Sequence, residues 1–341
     1  MKTFNRAMIA GLLAILGVSA TAQMPMPPHI PIWDANTVEL QLHKITENVY
    51  AVQPSTVEVE TTKGIPQATS AGFIVGDQGV LLIETMLNKR LYQQLEALVR
   101  SVTDKPILYA INTSDHGDHC FGNYLLPAQT QIIQNEFCKA NLEKNFANIQ
   151  QFMITLFGKG RGMEEVKYRA ANITIAKDQQ LKIDMGHGIE VELVNTGTAQ
   201  SPADLFVFVK TPDKRVAWLG NPFIAESPAI PWLFDGYFLE PAANLQKIYD
   251  RLANDDVIVP GHGRITRKKD IYFTIDYVQH LKQQVTEAVK AGLTLEQAQQ
   301  KLTLPAFNKG YELFQWLHFN FNIPNAFKDI KATSDSSVQH N

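Results

Sequence analysis

Polar and apolar residues alternate with two different periods along this chain, and each change of period marks an element. From about Val38 the alternation is of the β kind, through "NVYAVQ" (48–53) and then "TVEVETT" (56–62), both read as strands. "SAGFIVGDQGVLLIET" (70–85) places two apolar runs around a "GDQG" turn, the pattern of a hairpin. In "NKRLYQQLEALVRSV" (88–102) the period lengthens, with Leu91, Leu95, Leu98, Val99 and Val102 at helical spacing. "PILYAIN" (106–112) is then a buried strand, and the loop after it lies at a strand end, where α/β folds place their chemistry.

The second half repeats this style. "GIEVELVNT", "DLFVFVK" and "RVAWLGN" read as strands, "AANLQKIYDRLA" as a helix, and "DVIVPGHG" as a strand ending in a histidine. A long helix comes next, with Val278, Leu281, Val285 and Ala288 on one face and a stop near Gly292. Thr294 and Gln297 form a capping-box pattern for the next helix. "ELFQWLHFNFNIPNAF" (312–327) reads as a helix docking on the core, and residues 331–341 as a disordered tail.

The N-terminus is of another kind. Lys2 and Arg6 precede "AMIAGLLAILGV", and Ala20-x-Ala22 offers a small-residue cleavage pattern, so residues 1–22 are expected to be a signal peptide. The apolar run of about twelve residues is too short to span a bilayer, and no later run is longer. A periplasmic or secreted protein with no stable membrane insertion is therefore expected. Residues 23–37 read as an extended, proline-rich arm, and 38–330 as the folded domain. Without residues 1–22 the net charge moves from −3 to about −5, and no basic block stands out, which argues against nucleic acid. Oligomeric state leaves no mark in the sequence.

The chemistry concentrates in "INTSDHGDHCFGN" (111–123), where His116, Asp118 and His119 share a glycine-containing loop. Such a loop turns several side chains toward one point, and imidazole with carboxylate suits zinc, iron(II) or manganese. The competing reading is a polar loop whose Asp and His merely cap the helix beginning near Phe121. His262, between two glycines, supplies a second strand-end histidine far away in sequence.

With "VGDQGVLLIET", "INTSDHGDHCFGN", "GTAQSPADLFVF", "VAWLGN" and "VIVPGHG" in that order, the chain resembles the metallo-β-lactamase superfamily of hydrolases, in its glyoxalase II-like branch. The resemblance implies an α/β fold, a four-layer αββα sandwich with a metal site at one edge of its two sheets. The family loop reads His-x-His-x-Asp-His, and the matching positions here are Ser114, His116, Asp118 and His119. A further family histidine falls on Gln200, a bridging aspartate on Asn221, and the last histidine on His262. One metal position thus keeps only His116, whereas the other keeps Asp118, His119 and His262. Two cations about 3.5–4 Å apart need negative charge between them, and Asn221 supplies none, so one metal is expected.

The resemblance also assigns roles to neighbours. Glu84 stands where relatives carry an aspartate behind the ligands, placed to orient a ligand imidazole. Three readings of His116 stand: a fourth ligand, a hydrogen-bonding group beside the reacting water, or a structural relic. Ser114 and Gln200 either contact substrate or fill a vacated site. Cys120 and Cys138 are expected near the groove as a disulfide, with two thiols, a redox-sensitive pair or thiolate ligation as alternatives. The segment 220–238 is expected to roof a pocket through Phe223, Trp232, Phe234 and Tyr237, the alternative being core packing. His43, His187, His280 and His318 are read as structural.

The functional expectation is a hydrolase acting on an ester, thioester, lactone or amide through metal-activated water, with one zinc ion, iron or manganese being alternatives. Asp118 is read mainly as a ligand that doubles as a proton acceptor, His116 as a catalytic neighbour, and Asn221 as support for an oxyanion. A non-catalytic binding protein on the same fold competes with this, and oxygen or redox chemistry at iron is a third possibility.

Overall fold

The computed structural model describes residues 25–338. The signal-peptide expectation for residues 1–22 lies outside the described residues. Seven strands form the first sheet in chain order: β1 (Leu40–Lys44), β2 (Val49–Pro54), β3 (Ala71–Val75), β4 (Val80–Ile83), β5 (Ile107–Ile111), β6 (Gln131–Asn135) and β7 (Ile173–Ile175). Pairing is antiparallel from β1 to β4 and parallel from β4 to β7. The second sheet runs β12-β11-β10-β9-β8, from β8 (Gln180–Gly186), β9 (Ile189–Val194), β10 (Phe206–Lys210), β11 (Arg215–Gly220) and β12 (Val257–Pro260).

The period-2 rule explains why the two sheets stack. Val49 and Ala51 of β2, Leu81 and Ile83 of β4, Val207 and Val209 of β10, and Val257 and Val259 of β12 share one core between the sheets. The residues between them, such as Tyr50, Leu82, Phe208 and Ile258, join a second apolar cluster with the helices. Strands buried on both faces read as unbroken apolar runs, as "VLLI" does. The helices are α1 (Val57–Glu60), α2 (Lys89–Val102), α3 (Gly117–Cys120), α4 (Glu136–Phe157), α5 (Leu239–Arg251), α6 (Lys268–Lys290), α7 (Leu295–Lys301), α8 (Phe314–Leu317) and α9 (Ile323–Val338). The layers are helix, sheet, sheet, helix, the αββα sandwich.

Caps fix several boundaries. The Asn88 side chain accepts from Leu91 N–H at the start of α2, where Leu91, Tyr92, Leu95 and Val99 are buried. Burial of each such aliphatic side chain contributes about 1.5–3 kcal/mol. Thr294 and Gln297 make the expected reciprocal box on α7.

Three expectations need correction or refinement. "TVEVETT" is no strand: α1 and one 3-10 turn (Thr61–Lys63) occupy it, closed by Gly64 at φ 69°. Both edges of β2 are already taken by β1 and β3, and only Val57 of the two valines is buried, so the alternation has no sheet to join. From 331 onward the chain is no disordered tail as far as Val338, because α9 continues through it. Extension of an established helix adds one bond per residue fixed, without a new nucleus. The Thr333 and Ser336 hydroxyls also donate to the carbonyls of Asp329 and Ala332. The described part of the arm is packed: Ile32 N–H donates to Leu156 O at 3.0 Å, and Trp33 lies on Phe157.

Candidate metal centre

Four loops at one edge of the sandwich build the site. The loop after β5 carries Ser114, His116, Asp118 and His119; β3 is preceded by Gln67 and Thr69; β11 leads to Asn221; β12 leads to His262. Gly220 has φ 59° and ψ −156°, a backbone region open essentially to glycine, and it swings Asn221 into the edge. A Cβ on Gly261 would lie 2.8 Å from Gly220 O and 2.9 Å from Asn221 Oδ1, so the His262 loop reaches its place only with glycine there. His262 N–H donates to Ile224 O at 2.7 Å, and Gly261 O accepts from Ser70 N–H at 2.7 Å.

Asp118, His119 and His262 each offer a ligand atom, and these atoms lie within 4.8 Å of one another. All three residues are buried. Asp118 Oδ2 is 3.7 Å from His119 Nε2 and 3.4 Å from His262 Nε2. A tetrahedral site with bonds of 2.0–2.1 Å has edges of about 3.4 Å, so the spacing suits an ion of that size. Asn221 Oδ1 lies 2.9 Å from both imidazole Nε2 atoms, and its Nδ2 is 2.9 Å from His116 Nδ1.

The hydrogen bonds behind the imidazoles fix which nitrogen is free. His262 Nδ1 faces Gln67 O at 2.9 Å, and a carbonyl only accepts, so Nδ1 carries the proton. His119 Nδ1 donates likewise to Glu84 Oε1 at 3.0 Å. Both Nε2 atoms then face, with Asp118 Oδ2 and Asn221 Oδ1, a common centre. Once both Nε2 atoms are deprotonated, four buried acceptors converge there, a set that fits a divalent cation, and the Asp, His, His set fits zinc or iron(II).

In the ion-free centre the surrounding carboxylates favour a second proton on His119, which an arriving cation would have to displace. Burial alone would raise the Asp118 carboxyl, but His119, His262, His116 and the Thr69 hydroxyl at 2.7 Å outweigh it, and its pKa is lowered. Burial works against protonating His119, yet Glu84 and Asp118 bring its pKa up to about 9. For His262 burial wins and the pKa falls to about 4. Glu84 itself sits at φ 66°, a strained backbone for a non-glycine residue, tied down by Thr113 N–H at 3.2 Å and by the Thr113 hydroxyl.

The positions expected to be altered ligands behave differently from one another. Asn221 touches the centre. Ser114 Oγ instead accepts from His116 N–H at 3.3 Å. Gln200 Nε2 donates to Trp232 O at 2.8 Å, and its buried Oε1 has no hydrogen-bond partner among the described residues. His116 is joined to the cluster only through Asn221 Nδ2, and its Nε2 faces Asp235 Oδ2 at 4.0 Å.

The disulfide expectation is corrected: Cys120 and Cys138 are buried free thiols. Cys120 Sγ turns back to the carbonyls of its own helical turn, Asp115 at 3.7 Å and His116 at 3.4 Å. Burial holds both thiols well above the usual range, so they stay protonated, and neither joins the ligand cluster.

A cavity of about 380 Å³ opens beside His116, lined by Phe137, Ile149, Phe152 and Met153 of α4 and by Phe234 and Tyr237, with Asp115, Asn141, Asn148, Pro202 and Asp235 supplying its remaining surface. Of the expected roof, Phe234 and Tyr237 reach this cavity. Phe223 does not; it is fully buried in the core. Trp232 stacks on His262 at 5.5 Å between ring centres and donates to Tyr311 Oη, closing the centre from the other side. The cavity wall pushes the Asp235 carboxyl upward and His116 pulls it back, with 30% of the side chain open to water.

Sequence reading missed Thr69, the Gln67 carbonyl, Thr113, Asp235 and the α4 wall. It also missed a buried amide network: Asn112 Nδ2 donates to His119 O, and Asn112 Oδ1 accepts from Asn123 and Gln134. The one signal available was the density of Asn and Thr beside the His-Asp cluster.

Residues 64–262 match the model of the metallo-beta-lactamase superfamily. Linear primary-alkylsulfatase from Pseudomonas sp. (strain ATCC 19151) is 21% identical over 70% of this chain. The chain spans 50% of that relative's length. The sec-alkylsulfatase Pisa1 from Pseudomonas sp. shares the fold at TM-score 0.60 and 16% identity, over 85% of this chain and 50% of its own. The metallo-beta-lactamase FIM-1 from Pseudomonas aeruginosa, in a mono-zinc form, does so at TM-score 0.52 and 13% identity, over 71% of this chain and 96% of its own. A sandwich with its ligand loops at one edge, Asp118, His119 and His262 drawn together there, and a family match across most of the fold lead to one conclusion: the chain belongs to the metallo-beta-lactamase superfamily, a superfamily of hydrolases.

Proposed function

We propose that this protein is an exported, periplasmic or secreted hydrolase that cleaves an ester, thioester, lactone or amide of a small molecule at one metal ion, zinc in the first instance. The observation that carries the reading is the convergence of Asp118 Oδ2, His119 Nε2 and His262 Nε2, with both imidazoles hydrogen-bonded on their far side and Oδ2 itself accepting from Thr69. A divalent ion held by those three residues supplies a Lewis acid and brings the pKa of water toward about 7.

The chain's own residues do the rest. Glu84 and the Gln67 carbonyl hold the two imidazoles in the tautomer that aims Nε2 inward. Thr69 occupies one lone pair of Asp118 and fixes the carboxylate's rotation. Asn221 donates to His116 Nδ1, so the His116 proton sits on Nε2 and points toward the cavity, where it can hold a substrate oxygen. Trp232 and Phe234 screen the centre from bulk water. Two relatives carry alkylsulfatase in their names, and sulfate-ester hydrolysis is the competing choice of bond.

A second reading rests on Asn221. Turned by 180°, its amide would donate both hydrogens to the two imidazoles and close the centre without an ion, as a binding protein on this fold would need. Metal content and turnover on a panel of esters, thioesters, lactones, amides and alkyl sulfates separate the two. The hydrolase reading predicts one zinc per chain and turnover that falls at least about 100-fold in His119→Ala with the fold retained. A natively purified, folded chain that takes up no divalent metal and turns over nothing in the panel contradicts it.

A further inference from the structure

We infer that the cavity beside His116 binds a molecule with an ammonium-type cationic head and an apolar body, which narrows the substrate class and so rests on the proposed function. Its charge is one-sided. Asp115 and Asp235 line it, and no lysine or arginine does among the described residues. Among the described residues, Asp115 Oδ2 has only the neutral Asn141 amide as hydrogen-bond donor, at 2.5 Å, and Asp235 pairs only with His116, at 4.0 Å. Asp115 is 5% exposed, so little solvent screens it.

Aromatic faces complete the match. Phe137, Phe152, Phe234 and Tyr237 line the same space, and Phe234 stands 5.6 Å from the His116 ring and 6.5 Å from Phe152. Rings beside carboxylates are the surroundings that attract quaternary and alkyl ammonium groups. The volume of about 380 Å³ suits a small ligand. A second cavity, along β9, β10 and Arg251, lacks this asymmetry, because Arg251 pairs with Glu192 there. An anionic head, such as an alkyl sulfate carries, would meet two carboxylates and no cation in the cavity beside His116.

The test is calorimetric binding of hexyltrimethylammonium, hexanol and hexyl sulfate to the mature chain at pH 8 and low salt, both metal-stripped and zinc-loaded. Hexyltrimethylammonium should bind at least about tenfold tighter than hexyl sulfate. Asp235→Asn, at the cavity mouth, should reduce that preference about threefold or more, and Asp115→Asn provides an independent second variant. Equal affinities for the two ions, or a preference unchanged in both variants, would overturn the inference. Charge-selective binding by a chain that hydrolyses nothing supports it while contradicting the hydrolase reading. Turnover without charge preference does the reverse.

Discussion

At the scale of single residues, Asn221 decides what kind of centre this is. A carboxamide adds a neutral oxygen to Asp118, His119 and His262, whereas a carboxylate would add charge at the same place. Asn221→Asp is expected to tighten zinc binding by about tenfold or more, read by calorimetric titration; unchanged affinity would show that Asn221 does not face the ion. Glu84 works one bond further out. Glu84→Gln keeps a hydrogen-bond acceptor for His119 Nδ1 but removes the charge, so zinc affinity should fall about 10–100-fold. A smaller change would leave Glu84 a packing role only.

At the scale of elements, the C-terminal helical segment contains a measurable pH response. His318 is buried between Tyr277 Oη at 2.8 Å and Leu302 O at 2.6 Å, and burial lowers its pKa to about 4. The unfolded chain, with an ordinary imidazole near 6.5, binds the proton more readily than the folded one. The stability this histidine contributes is therefore complete above that value and is lost as pH falls from about 6.5 toward 4. Between pH 7 and 5 the loss is on the order of 2 kcal/mol. Urea unfolding of His318→Gln should show a lower stability at pH 7 and a flatter dependence down to pH 5. An equally steep dependence would remove His318 as the cause.

Elements also show what the sequence could and could not convey. Strands of both core sheets were legible because an apolar or alternating run bounded by turn residues is a local signal, as in "VLLIET", "GIEVELVNT" and "VIVPGHG". "TVEVETT" had the same local pattern but no free strand edge to pair with, a fact set by β1 and β3. His116, Asp118, His119 and His262 were legible as residue types that hold metals. The Gln67 carbonyl that orients His262 could not be, since every residue carries a carbonyl and only the fold brings this one across 195 positions. Cys120 and Cys138 looked like a bridge because both lie near the groove, yet Cys120 Sγ turns to backbone oxygens of its own loop. The α4 wall escaped notice because its face is divided between core and cavity, as Leu142 and Phe137 illustrate.

At the scale of the whole molecule, the proposed ion would join the two sheets. Asp118 and His119 follow β5 of the first, and His262 follows β12 of the second. A ligand that binds only the folded chain stabilises it by about 2.7 kcal/mol at a hundredfold excess over its dissociation constant. Zinc should therefore raise the thermal midpoint by several degrees and a chelator should reverse this, with the effect absent in His262→Ala. The most direct test is a calorimetric titration of the metal-stripped, folded chain with zinc at pH 7.5. A single-ion centre predicts saturation at one equivalent per chain, abolished by His262→Ala and by His119→Ala. A flat titration in the unaltered chain, or the same single equivalent in both variants, would contradict it.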